Sequence, residues 1–212
     1  MLKDLLKQWW ETVGGLSEPS KMPCYSYSIP TDNCKKGMKL AQIKNSVCSK
    51  CYCHNRGNYR LPWVKKTQQK RLNSINNPKW VESMTGLIKH KEYSGYFRFF
   101  DSGDIQSVAH LKQIVQIARN LPRIKFWLPT KEYGFIQTFL RSDSFPKNLT
   151  VRLSAYMIEG KPPTTLAKRL GVQTSTVSKT AYTCPASKQG NQCLTCRKCW
   201  NKKIENIAYK SH

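Results

Sequence analysis

The sequence predicts an α/β domain: a small partial (β/α) barrel of about six mostly parallel strands with cysteine-rich, metal-binding loops. Three observations lead there. Short apolar segments at 96–100, 124–128 and 149–155 alternate with stretches of helical period, the pattern of right-handed βαβ units. Nine cysteines gather in two stretches, 24–53 and 184–199, outside those segments. A hydrophobic content of 39% over 212 residues describes a globular chain with room for one sizeable core.

Taken in order, the first element is an amphipathic helix with Leu2, Leu5, Leu6, Trp9 and Trp10 on one face. Docking on the domain is the simpler use of that face, and membrane-surface binding the alternative. Gly14-Gly15 and Ser17-Glu18-Pro19-Ser20 read as a linker, so residues 1–20 are set apart from a single domain over 21–212. Residues 24–29 alternate like a strand and stop at Pro30, and a ligand-rich loop without periodicity follows. A helix is expected over 64–75, then a second introduced by Asn77-Pro78. Beyond it come the aromatic strand 96–100, a helix through Val108, Leu111, Ile114, Val115, Ala118 and Leu121, and the strand 124–128. A helix with Tyr133, Ile136, Phe139 and Leu140 precedes the strand 149–155, and weaker strands fall at 174–179 and 206–210.

The cysteines carry the chemistry. Cys184, Cys193, Cys196 and Cys199 form C-x8-C-x2-C-x2-C. Bacterial ferredoxins use a C-x2-C-x2-C run for [4Fe–4S] clusters, whereas zinc sites take separated C-x2-C pairs. The run therefore points to a closed cluster, with zinc or structural thiols as alternatives. Cys34, Cys48 and Cys51 form C-x13-C-x2-C, three thiols that would leave one iron of a second cluster open. Cys24 and Cys53 are spare: extra ligands, or buried thiols without a role. No apolar run approaches the ~20 residues of a membrane span, and the N-terminus lacks a signal-peptide pattern. A cytoplasmic location is expected, where reduced thiols serve metals better than disulfides.

Charge is the second signal. Thirty-six Lys and Arg against twelve Asp and Glu give +24. Such a surface attracts polyanions, nucleic acid above all, unless it serves only solubility. Two clusters of charge −2 and −1 would still leave it strongly basic.

In parallel α/β folds chemistry collects at the C-terminal strand ends. The first cysteine loop, Asp101 and Asp104, Thr130-Lys131, Arg152/Ser154 and the Cys184–Cys199 segment are all expected on one rim. Asp101 and Asp104 suit ligand or proton handling, although Asp104 alternatively caps the next helix. Lys131, Arg152 and Ser154 suit an anion, or are solvated ends. His54 is a minor metal-ligand candidate, His90 and His110 read as surface residues, and Tyr209 and His212 end the chain. No Ser-His-Asp order, P-loop or H-E-x-x-H helix is present.

Several stretches resemble the gene-product-88-like proteins of phages and mobile elements. They are Lys21-Met22-Pro23, Ser46-Val47-Cys48-Ser49-Lys50-Cys51-Tyr52, Gly57-Asn58-Tyr59 and Phe97-Arg98-Phe99-Phe100-Asp101-Ser102-Gly103-Asp104. Phe126-Trp127-Leu128-Pro129-Thr130-Lys131, Asn148–Ser154, Cys184-Pro185-Ala186 and the Cys193–Trp200 run continue the match, which spans about residues 20–212. The resemblance implies a small iron–sulfur protein in the cytoplasm of a phage- or element-bearing bacterium. The layout is also similar to radical S-adenosylmethionine (SAM) enzymes, in which an open iron chelates SAM. The C-x13-C-x2-C spacing departs from their C-x3-C-x2-C, and no Gly-Gly-Glu-Pro follows the second strand, where Asp101–Asp104 stands instead. The leading expectation is a cluster-dependent, radical-SAM-like enzyme acting on or near nucleic acid and served by an electron donor. The rivals are a non-catalytic nucleic-acid-binding protein with structural Fe–S or Zn sites, and a metal-assisted hydrolase.

Overall fold

Six segments whose side chains alternate between two faces become one parallel sheet. In the computed structural model, which describes residues 1–55 and 57–211, the strands are β1 (Ser26–Tyr27), β2 (Tyr96–Phe99), β3 (Lys125–Thr130), β4 (Leu149–Ile158), β5 (Gln173–Ser178) and β6 (Asn206–Lys210). They lie in sequence order, each parallel to the next, and among the described residues β6 does not pair back to β1. This is the singly wound order of a barrel left open. The helices are α1 (Leu2–Val13), α2 (Lys35–Ala41), α3 (Tyr52–Asn55), α4 (Pro62–Ser74), α5 (Trp80–Lys91), α6 (Val108–Asn120), α7 (Tyr133–Phe139) and α8 (Thr164–Leu170).

Register divides the sheet into two environments. Phe97, Phe99, Phe126, Leu128, Val151 and Leu153 fall on one face and meet Leu111, Ile114, Val115 and Ile136 of the helices. Burial of these side chains, at roughly 1.5–3 kcal/mol each, supplies most of the driving force. The opposite face carries Tyr96, Arg98, Trp127, Thr150, Arg152 and Tyr209, and its apolar centre is a small cluster of Cys24, Trp127 and Trp200. Helices α6, α7 and α8 bridge β2–β3, β3–β4 and β4–β5 in turn. The β5–β6 crossover has no α-helix, only the 3-10 turns Pro185–Lys188 and Lys198–Trp200.

The expected linker is not free. Gly14 and Gly15 turn the chain with φ of 76° and 78°. Ser17 then bridges Ser26 antiparallel, with both N–H···O contacts at 2.8 Å. Helix α1 docks as the simpler reading held. Trp9 lies on Gly86 of α5, where an added Cβ would come within 2.5 Å of its ring. Tyr27 and Arg71 tie α1, α4 and β1 together: the Tyr27 hydroxyl donates to Val13 O at 2.9 Å, and Arg71 Nε donates to Gly14 O at 3.1 Å. Among the described residues no helix is long and apolar enough to cross a membrane.

His110 is also not a surface residue. It is buried, edge-on to Trp80 and Phe100 at ring separations of 5.4 and 5.8 Å. Its Nδ1 accepts from Gln106 N, and its Nε2 has no partner among the described residues. Burial pushes its pKa down from 6.5 to about 3. A depressed imidazole favours the fold while neutral, so its contribution is complete above pH 6.5 and is lost as pH falls toward 3. His110→Phe should therefore remove about 2 kcal/mol of the parent's loss of unfolding free energy between pH 8 and pH 5. Chemical denaturation of both proteins at the two pH values checks this; identical pH slopes would refute it.

Candidate metal centres at opposite ends of the sheet

The upper centre stands at the C-terminal strand ends, as expected. Cys34 follows β1 as the N-cap residue of α2, and Cys48 and Cys51 bound a 3-10 turn. Val47 N donates to Tyr156 O at 2.8 Å, which anchors this turn on β4. The thiols of Cys34, Cys48 and Cys51 interact electrostatically with one another, and Lys131 faces all three. Gly37 leaves the space between them. A Cβ there would lie 2.7 Å from Cys34 Cβ and 3.7 Å from both the Cys34 and Cys48 sulfurs. Burial pushes the Cys34 and Cys48 thiols up, whereas a hydrogen bond from Cys53 lowers Cys51 to about 6 and leaves Cys53 raised. His54 stands beside Cys51, and its Nδ1 faces Asp32 at 3.3 Å.

The acidic rim residues are braces. Asp101 accepts from Ser26 Oγ at 2.9 Å and Tyr59 OH at 2.7 Å, and its carbonyl accepts from Tyr52 OH at 2.6 Å. Asp104 does not cap α6, since Ser107 does. It accepts from Thr130 Oγ1 at 2.6 Å and from the backbone N–H of Ile105 and Lys131 at 2.8 Å. Burial raises its carboxyl to about 6 despite those bonds. Glu132, which the sequence did not single out, accepts from Lys36 N at 2.6 Å at the start of α2. The two carboxylates thereby fasten the loop carrying Cys34 to the ends of β2 and β3.

The lower centre corrects the expectation of one rim. The Cys184–Cys199 segment runs from the end of β5 to the start of β6, and so travels the height of the sheet. Its Trp200 reaches the N-terminal strand ends, donating from Nε1 to Phe97 O at 2.9 Å and packing on Tyr96 and Trp127. Cys193 neighbours Cys184 and Cys196, and Cys199 neighbours Cys184. Tyr209 OH lies 3.2 Å from the Cys199 sulfur. Cys24 belongs here too, beside Cys193 and not the upper loop, because β1 separates it from Cys34. Burial, followed by the nearby Glu92 carboxylate, pushes its thiol to about 12, and burial raises Cys199 to about 11. Such thiols keep their protons at neutral pH unless a cation takes the proton's place.

Arg152 is a clamp and not an anion site. It is fully buried, and its five N–H groups donate to the carbonyls of Thr174, Lys198, Cys199, Asn201 and Ile204 at 2.9–3.2 Å. Ser154 is occupied as well, with its Oγ accepting from Ser175 at 3.1 Å and its carbonyl from Tyr133 OH at 2.6 Å. Of the three expected anion-binding residues, only Lys131 faces a thiol group. Arg98, which sequence reading passed over, stacks on Trp127 at 4.3 Å and donates to Met22 Sδ at 3.5 Å. Its charge acts on Cys24, Cys193 and Cys199. The signal was present: an arginine in the otherwise aromatic strand Tyr96–Phe99. His212 lies outside the described residues.

No three His, Cys, Asp or Glu side chains among the described residues are drawn together around a single metal ion. Five buried polar side-chain atoms lack a partner among the described residues, and apart from His110 Nε2 they are Arg98 Nε, Trp127 Nε1, Ser187 Oγ and Gln189 Oε1. The first two border the lower thiols, and the last two lie in the Cys184–Cys199 segment.

An open, singly wound α/β domain with thiols at both ends of its sheet is the class that fold and site define. The chain belongs to the gene product 88 family, whose model matches residues 4–202. The match includes α1, in keeping with its docking. Neither curated proteins nor solved structures show a match to the chain.

The turn that positions Asp101 and Asp104 yields a direct test. Phe100 has φ 57° and Gly103 φ 85°, and a Cβ on Gly103 would meet Ile29 Cγ1 at 2.3 Å and Ile29 O at 2.7 Å. Gly103→Ala combines an unfavourable left-handed residue with a clash against backbone, and should cost at least about 2 kcal/mol. Urea unfolding measures it; a loss within the ~0.5 kcal/mol of a neutral surface change would refute this account.

Proposed function

We propose that this is an iron–sulfur protein in which Cys184, Cys193, Cys196 and Cys199 hold a closed [4Fe–4S] cluster, and Cys34, Cys48 and Cys51 a second with one iron open. The observation that carries it is the pair of orphaned N–H donors, Arg98 Nε and Trp127 Nε1, beside the lower thiols. A buried donor without an acceptor costs about 1–3 kcal/mol, so native proteins leave few of them. Thiolate and sulfide sulfurs are acceptors that would satisfy both, and the Arg98 cation suits a group of net negative charge. Zinc remains the alternative metal.

The upper centre supports a cluster-dependent enzyme, radical-SAM-like by layout. Three thiols and Lys131 stand at the strand ends where such folds carry chemistry. When bound, a cluster with an open iron supplies a coordination position for a small chelating molecule such as SAM, and one-electron reduction from a low-potential donor. Within the chain, Asp104 and Glu132 hold the loop in place, Gly37 keeps the space between sulfurs clear, and Lys131 offsets thiolate charge.

Nucleic acid is the proposed partner. The net charge of +24 already counts every carboxylate, and among the described residues Arg119 is the only Lys or Arg side chain ion-paired to one, so the basic side chains are free to meet phosphates. One exposed face of α4 joins Trp63, 65% exposed, to Lys66 and Lys70, an arrangement suited to stacking a base beside phosphates. The same charge favours a second reading, a binding protein whose metal centres only hold loops together.

Anaerobically purified protein should be brown, with about eight irons and eight sulfides per chain for two cubes. Cys199→Ala should lose the lower half of that iron, and Gly37→Ala the upper half. Stoichiometric zinc without acid-labile sulfide would falsify the cluster reading. SAM should shift the EPR signal of the reduced protein and fail to do so in Gly37→Ala; a spectrum that no added ligand moves favours the binding protein.

For nucleic acid, log affinity should fall against log salt with a slope of about −0.7 to −0.9 per neutralised phosphate. The triple variant with Ala at Trp63, Lys66 and Lys70 should flatten that slope by about two contacts. A parent slope near zero would make the charge a surface property alone.

A further inference from the structure

We propose that Cys24 is a fifth ligand thiol of the lower centre, exchanging with Cys184 for the one corner that the Cys193–Cys196–Cys199 run leaves open. The inference rests on the cluster reading above and assigns the protein side of that site. A cube has four corners and the run fills three. Two further thiols reach the run from different elements. Cys184 comes from the β5 side, its N–H bonded to Ala208 O of β6 at 3.0 Å. Cys24 comes from the β1 side, only 5% exposed, and the preceding Lys21 carbonyl accepts from Cys193 N at 2.8 Å. Cys193 neighbours both thiols. Cys24 also shares a buried cluster with Trp127 and Trp200, and Cys199 packs against that cluster.

Exchange is balanced. One iron–thiolate bond forms as another breaks, the incoming thiol gives its proton to the outgoing thiolate, and no electron moves. Arg98, stacked on Trp127, faces Cys24, Cys193 and Cys199 and keeps a cation beside the charge in either arrangement. A cavity of about 310 Å³ lined by Met22, Cys24, Tyr25 and Glu92 opens beside Cys24, so the displaced side chain has room to move.

The test counts iron, sulfide and zinc in full-length protein reconstituted anaerobically. Cys24→Ala and Cys184→Ala should each keep the lower cluster within about 1.5-fold of the parent, and the double variant should lose at least about fivefold of it. Cys184→Ala alone as empty as the double, or a double as full as the parent, overturns the proposal while leaving the cluster reading intact. A parent without iron and sulfide overturns the cluster reading instead. If that parent holds zinc, the same comparison read in zinc decides the role of Cys24, and a parent without metal sinks both. Far-UV circular dichroism shows whether each variant folds. Should the double misfold, Cys24→Ser in the Cys184→Ala background replaces sulfur by oxygen at nearly the same volume. It should shift the visible circular dichroism of the cluster, and an unchanged spectrum counts against Cys24 as a ligand.

Discussion

Arg152 holds the structure together at its least conventional point. A crossover between parallel strands usually buries an amphipathic helix, which satisfies its own backbone and supplies apolar area. The β5–β6 crossover has neither advantage, and its carbonyls lie against the sheet. Five of the neighbouring carbonyls find their donors in one guanidinium, whose planar fork spans positions that no lysine could serve together. Trp200 wedges the segment against Tyr96 and Trp127. The side bearing the thiols is tied by backbone bonds alone, Cys184 N to Ala208 O and Cys193 N to Lys21 O, and four of the orphaned polar atoms lie in it or beside it.

The upper end is built differently. Its loop is fastened by Glu132, which accepts from Lys36 N of α2, while Asp104 ties the turn after β2 to the end of β3 through Ile105 N, Lys131 N and Thr130 Oγ1. A carboxylate that takes several such bonds is an efficient fastener, but a buried one costs free energy to charge, and the raised carboxyl of Asp104 records that cost. The rim is therefore ordered by contacts within the protein itself.

Much of this was legible in the sequence, and the parts that were not share a cause. Alternation over Tyr96–Phe99, Lys125–Thr130 and Asn206–Lys210 reports burial on two faces and was readable. Helix α2 was not, because Lys35-Lys36-Gly37-Met38-Lys39-Leu40-Ala41 shows one turn of apolar spacing around a glycine kept for the thiols. Local pattern also misassigned the cysteines. Proximity in sequence grouped Cys24 with Cys34, although a strand between two residues sends them to opposite ends of a sheet. The same rule sends Cys199, just before β6, to the end opposite Cys34. Arg152 misled for the opposite reason: its position near the end of a strand suggested a rim, but its side chain points across the sheet, where carbonyls and not anions await it.

Arg98 is where the two ends meet. Below it are Cys24, Cys193 and Cys199, and it also interacts with Tyr52, Tyr59 and Asp101 of the rim. A guanidinium keeps its charge under any condition the protein meets, so it is a fixed positive point between two groups of ionisable sulfur and oxygen. Its planar face lies on Trp127, which shields it from water without satisfying its Nε. Low local dielectric strengthens every interaction made there. One cation in this way faces both the lower thiols and the Tyr52, Tyr59 and Asp101 brace of the rim.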